Sequence, residues 1–207
     1  MSAAVGSAQK AGIWLLLATV LVPSTLLLQG ASGDLYLKIV DLGLIVPKRA
    51  TEIVMLALIA AFGLATWGFR RLEARRILTA LAAGIGIVIA YGLSEAIKVF
   101  YTQERPCREL VTLDNCPAVG DWAFPSNHST IAFAVATGIL LITAHRWALL
   151  GYLGALVVGG LRIITGAHYP HDVLGGAILG ICVTIAIYLL LAPLTRSLAQ
   201  RPRHRAD

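Results

Sequence analysis

Apolar residues gather along this chain in six long runs, each bounded by short polar segments. The runs fall at Ala11–Leu28, Ile53–Phe69, Ile77–Ile97, Ser126–Thr143, Trp147–Thr165 and Val173–Leu194. A helix needs about 20 mostly apolar residues to cross a bilayer core, so the pattern predicts six membrane spans and an all-α bundle. Between the first two runs lies DLYLKIVDLGLIV, in which Asp34, Lys38 and Asp41 recur at helical spacing while Leu, Ile and Val fill the other positions. This predicts an amphipathic helix on the membrane surface, either packing over the bundle or walling a lateral entrance for a lipid. Lys10 before the first run and AlaSerGly after it resemble a signal peptide, but the length of the run favours a retained span. No internal repeat, low-complexity tract or linker divides the sequence, so a single domain over 1–207 is expected.

Composition strengthens the membrane reading: of 207 residues 57% are hydrophobic and only 14% charged. The formal charge of +6 could suggest nucleic acid, but its placement points elsewhere. Arg70, Arg71, Arg75 and Arg76 flank the turn between the second and third runs, Arg146 sits in another turn, and Arg196, Arg201, Arg203 and Arg205 crowd the tail. By the positive-inside rule these segments are cytoplasmic, and no nucleic-acid partner is implied. Both termini are then expected inside, with loops 29–52, 98–125 and 166–172 on the extracytoplasmic side of the cell membrane.

Three polar sets stand out against this background, all on the predicted outer side. Lys98 and Arg105 frame KVFYTQERP at the end of the third run, where cations also serve as snorkelling anchors. FPSNHST opens the fourth, with Ser126 or Asn127 placed to cap a helix and His128 in its first turn. A helix start also turns free backbone N–H groups and positive dipole toward an anion. LRIITGAHYPHD brings Arg162, His168 and Asp172 to the junction of the last two runs. Pro170 biases Tyr169 toward an extended shape, so spacing alone does not bring His168 and Asp172 into contact. Glu95, three residues before Lys98, is a candidate headgroup contact or a plain ion-pair partner of that lysine. Arg108, Glu104 and Glu109 are candidates for headgroup contact or for solvated positions.

KVFYTQERP, PSNH and RIITGAHYPHD resemble the three signature motifs of the type 2 phosphatidic acid phosphatase superfamily, lipid phosphatases akin to vanadium haloperoxidases. Lys98, Arg105, Pro106, Pro125, Ser126, His128, Arg162, His168 and Asp172 match in order and spacing. Asn127 replaces the usual glycine and retains its backbone N–H, whereas Leu161 replaces a serine and loses a hydroxyl. The resemblance implies that Lys98, Arg105 and Arg162 hold the phosphoryl oxygens, with Ser126 and the N–H groups near Asn127 and His128 completing the cradle. It makes His168 the nucleophile of a phosphohistidine intermediate, Asp172 the acceptor for its other ring nitrogen, and His128 the acid and then the base. The implied substrate is a lipid phosphate. Bacterial polyprenyl diphosphates of the cell-wall carrier type are favoured over phosphatidylglycerophosphate, phosphatidate or prenyl-sugar phosphates, and a phosphotransferase remains an alternative.

Other readings explain less of the sequence. A haloperoxidase would hold vanadate in the same pocket, but its relatives are soluble. A metal centre of His128, His168, His171 and Asp172 would face repulsion from three cations, so neither metal nor cofactor is expected. A transporter or scaffold would leave both histidines and all three cations without a task. The predicted topology puts Cys107 and Cys116 in an oxidising compartment and Cys182 in the last span. A Cys107–Cys116 disulfide is therefore expected, anchoring the chain just beyond Arg105.

Overall fold

The structure is a computed structural model that describes residues 2–47, 49–67, 74–111 and 116–199. Arg70, Arg71, Arg201, Arg203 and Arg205 of the expected cytoplasmic charge lie outside them. Among the described residues eight α-helices follow in order: α1 (Ser2–Ser24), α2 (Gln29–Asp41), α3 (Ala50–Trp67), α4 (Ala74–Phe100), α5 (Pro106–Glu109), α6 (Asn127–Thr143), α7 (Leu149–Ile164) and α8 (Pro170–Ala199). Among them five helical stretches are long and apolar enough to cross a membrane: Val5–Asp41, Ala50–Trp67, Arg75–Phe100, Arg146–Ile164 and Pro170–Ala199.

Two departures from the sequence pattern have physical causes. The first span does not end in a loop. A 3-10 turn at Thr25–Leu28 carries α1 directly into α2, and Ser32 and Tyr36 of α2 are buried while Asp34, Lys38 and Asp41 remain exposed. Packing of α2 on α7 and α8 outweighs the helix-breaking tendency of Gly30 and Gly33. The fourth predicted span is α6, only 17 residues long and shorter than the five stretches above. It is surrounded by α3, α4, α7 and α8, with Phe133, Val135, Ala136, Ile139 and Ile142 among its buried side chains.

Capping explains where the helices that matter begin and turn. Ser126, in extended conformation, accepts the Ser129 N–H at the head of α6. Pro170 opens α8, where its missing N–H and fixed φ cost nothing, and the Asp172 carboxylate reaches back to the Tyr169 N–H at 2.7 Å. At the end of α7, Gly166 takes a left-handed φ of 71°. The chain therefore folds back, and the N–H groups of Ala167 and His168 both donate to Arg162 O at 3.1 Å.

The backbones of α6 and α8 approach closely at two glycines. A Cβ on Gly176 would lie 2.5 Å from Ser126 O, and one on Gly180 would lie 2.3 Å from Thr130 O. Small residues four apart let helix backbones meet where lipid supplies no hydrophobic drive for association. Gly180→Ala would force the helices apart and should cost about 1–3 kcal/mol. Thermal unfolding in detergent should show a lowered midpoint. Gly160→Ala, with nothing within 4 Å of the added carbon, should shift it by no more than about 0.5 kcal/mol.

Candidate active site

The end of α4, the heads of α6 and α8 and the end of α7 meet at one end of the bundle. Cross-links between the connecting segments fix their register. Ser126 N donates to Asp172 O at 3.0 Å, Ala123 N to Gln103 O at 2.8 Å, and Cys107 N to Gly166 O at 3.0 Å. A disulfide joins Cys107 to Cys116, and Cys182 is free and buried. Arg108 pairs with Glu104 and bonds Pro117 O, while Tyr169 Oη donates to Glu109 at 2.8 Å. Arg108, Glu104 and Glu109 thus brace the loop.

His168 is buried, and its two ring nitrogens have different neighbours. Nδ1 lies 2.8 Å from Ala123 O, which can only accept, so Nδ1 carries the proton. Nε2 then presents its lone pair and receives an N–H from Arg105 Nη1 at 3.1 Å. This corrects the partner expected for Nδ1. Asp172 Oδ2 stands 3.6 Å away, beyond hydrogen-bonding distance, because it is engaged by Tyr169 N at the head of α8. Asp172 remains completely buried beneath the histidine, with His171 Nε2 3.1 Å from its Oδ1. His171 is in turn stacked between Phe124 and Tyr169, and Gln103 Oε1 lies 3.2 Å from its Nε2.

The three expected cations are all here, in different states. Arg105 is 2% exposed and every N–H of its fork has an acceptor: Nε donates to Asp121 O (2.7 Å), Nη1 to Ala167 O (2.7 Å) and His168 Nε2, Nη2 to Asp121 Oδ1 (2.8 Å) and Trp122 O (3.4 Å). Lys98 is also buried, with Nζ 3.4 Å from Glu95 Oε1 and 3.5 Å from Asp121 Oδ1. The buried Nε of Arg162, by contrast, has no hydrogen-bond partner among the described residues. At the head of α6, Ser126 Oγ accepts from Ser129 Oγ at 3.2 Å and keeps its own proton to donate. The N–H groups of Asn127 and His128, in the first turn, have no intrahelical acceptor. The Asn127 side chain turns away to Glu95 and accepts from Ser94 Oγ at 2.7 Å. His128 feels the charges of Arg162, Glu52, Arg105 and Lys98.

Four contributors are not among the matched signature positions. Asp121 bridges Lys98 and Arg105 from a loop, Glu52 opens α3 as the acidic group acting on both His128 and Arg162, Gln103 touches His171, and the carbonyl of Ala123 fixes the histidine tautomer. Glu95, Lys98, Val99, Gly120, Asp121 and Trp122 line a cavity of about 520 Å3 at the mouth of the site. A second cavity of about 360 Å3 is lined by apolar groups of α1, α4 and α8 together with Tyr101 and Phe124. Among the described residues no set of three or more His, Cys, Asp or Glu side chains forms a metal-binding group.

Burial holds the His168 imidazolium well below the usual histidine range, and the charges of Arg105, Arg162, Lys98 and His128 push the same way. Burial alone would raise the Asp121 carboxyl, but its bond to Arg105 and the charges of Arg105 and Lys98 outweigh that and hold it below the ordinary carboxylate range.

Residues 78–196 match the family model of the PAP2 superfamily. The chain belongs to that superfamily. Among curated relatives, it is 35% identical over 123 residues to the undecaprenyl-diphosphatase BcrC of Bacillus subtilis, an alignment covering 58% of this chain and 61% of that one. It is 37% identical over 100 residues to an undecaprenyl-diphosphatase of Sulfolobus acidocaldarius, covering 46% and 47%. The matched part is thus less than two thirds of either relative's length. Its fold resembles the crystal structure of the first transmembrane PAP2 type phosphatidylglycerolphosphate phosphatase from Bacillus subtilis, with a TM-score of 0.53, 21% identity, and coverage of 99% of this chain and 100% of that one. All the family's motif positions named above lie within the matched region.

A lowered pKa leaves a histidine neutral at every pH above it. As the pH falls from about 7.5 to about 5.5, through the ordinary histidine value near 6.5, His168 should keep its proton on Nδ1 and its lone pair on Nε2. Nitrogen-15 spectra of histidine-labelled protein, assigned with His168→Asn, check this. Protonation of both His168 nitrogens near pH 6.5 would contradict it.

Proposed function

We propose that this protein is a lipid phosphatase that removes the terminal phosphate of a polyprenyl diphosphate at the extracytoplasmic face of the membrane. The observation that carries the reading is the neutral, buried His168, whose Nε2 lone pair faces Arg105 within reach of the fields of Lys98 and Arg162. Support for the lipid comes from the two undecaprenyl-diphosphatase relatives and from the five apolar helical stretches that hold the site in a membrane bundle. Support for the face comes from charge: Arg75, Arg76, Arg146 and Arg196 sit at the helix ends opposite the site. The exposed Asp34, Lys38 and Asp41 of α2, beside its buried Ser32 and Tyr36, favour a helix lying at headgroup level there.

In this mechanism Nε2 of His168 attacks the terminal phosphorus and forms an N–P bond as the bond to the bridging oxygen breaks. His128 delivers a proton to the departing lipid monophosphate. It then takes one from water, whose oxygen attacks phosphorus, breaks the N–P bond and releases inorganic phosphate with His168 restored. Charge that grows on the phosphoryl oxygens is met by Arg162 Nε, by Lys98 and by the N–H groups of Asn127 and His128. Asp172 lies under the ring as it becomes cationic, its Oδ2 3.6 Å from Nδ1.

Brief mixing with substrate labelled in the terminal phosphate should trap an acid-labile, base-stable phosphoenzyme. His168→Ala should abolish the label and lower turnover by on the order of 10^3-fold or more. Equal labelling of the variant would refute the assignment.

His128→Ala provides an independent check through the leaving group. A lipid monophosphate departs more readily than an alkoxide, so the variant should lose about 10^2-fold with the diphosphate and distinctly more with the phosphomonoester of the same lipid. Equal losses on the two substrates would remove His128 from the acid role.

A further inference from the structure

Hydrogen-bond accounting at Arg105 leads to a residue outside the three motifs. Every N–H of its guanidinium is engaged, so a phosphoryl oxygen gains a donor from Arg105 only by displacing an acceptor already in place. Asp121 O, Trp122 O and Ala167 O are backbone carbonyls held by the fold. His168 Nε2 is the reacting atom. Asp121 Oδ1 is the acceptor that a side-chain rotation can withdraw, and its carboxylate is 48% exposed at the rim of the 520 Å3 cavity. The backbone behind it is fixed: Asp121 N closes a turn onto Ala118 O at 3.1 Å after Gly120, and Asp121 O holds Arg105 Nε. Asp121 Oδ1 also stands 3.5 Å from Lys98 Nζ, so one carboxylate covers two of the three site cations.

We propose that Asp121 sets the affinity of the phosphate site: its carboxylate competes with the phosphoryl group for Arg105 Nη2 and Lys98 Nζ. A lipid phosphate brings the binding energy of its chain to that competition, whereas inorganic phosphate brings none. Asp121 therefore discriminates against free phosphate and promotes its departure after hydrolysis. This rests on the phosphatase reading above.

The test uses the full-length protein in detergent, with inorganic phosphate as product inhibitor and orthovanadate as ligand in thermal unfolding. Asp121→Asn keeps the shape and an acceptor oxygen but removes the charge, and Asp121→Ser removes the reach as well. Both should bind phosphate roughly tenfold more tightly than wild type, equivalent to ~1.4 kcal/mol, and gain a larger stabilisation from vanadate. Unchanged or weaker phosphate binding in the variants would show a brace for Arg105 and overturn the proposal. Should Asp121→Asn fail to fold, Asp121→Ser decides by the same readout. Wild type that neither releases phosphate from lipid nor gains stability from vanadate would overturn the phosphatase reading together with this one. Wild type that does both, with variants that bind no more tightly, overturns the role of Asp121 alone.

Discussion

The site depends on one backbone contact, the approach of α8 to α6 at Gly176 and Gly180. Because no side chain separates them there, the heads of two helices lie next to each other, and Ser126 N can bond Asp172 O across the gap. The positive ends of both helices consequently face the same region, which favours an anion before any charged side chain is counted. A buried Asp172 and a buried Ser126 then become possible as neighbours, each capping its own helix while serving the site.

Burying Lys98 and Arg105 at the edge of a membrane bundle carries a desolvation cost that has to be met by partners. The chain meets it with backbone carbonyls, which cannot wander, and with the carboxylates of Glu95 and Asp121. Arg162 is treated differently, its buried Nε left without an acceptor among the described residues and its charge balanced at longer range by Glu52 and Asp121. The cations are thus not equivalent. Arg105 has every N–H engaged, Lys98 lies between two carboxylates, and Arg162 alone of the three has a buried nitrogen with no partner among the described residues.

Much of this was legible because polar residues in an apolar sequence are conspicuous. Lys98, His128, Arg162, His168 and Asp172 stand at the ends of greasy runs, and the structure gathers them at one end of the bundle. What escaped was of another kind. Asp121 lies in a polar loop, where an acidic residue is ordinary, and its meaning comes from Arg105 sixteen residues away in the chain. The acceptor of His168 Nδ1 is a main-chain carbonyl, which any residue at 123 would supply, so no side-chain pattern could reveal it. The fold reading missed in a similar way: residues 29–33 fell in the expected outer loop 29–52, yet Ser32, which accepts from His171 N at 3.0 Å, and Tyr36 are buried and the segment is helical.

Helix α6 is short and enclosed on every side, so its length answers to its neighbours rather than to the bilayer. Its 17 residues rise about 25 Å against a hydrocarbon core of ~30 Å. On the proposed function, which puts its head among lipid phosphates, a substrate arrives by moving sideways without leaving the leaflet. The encounter is then two-dimensional. Its rate follows the mole fraction of substrate in the membrane and the fluidity of the leaflet, and diluting the surface with inert lipid slows it even when the bulk concentration is unchanged.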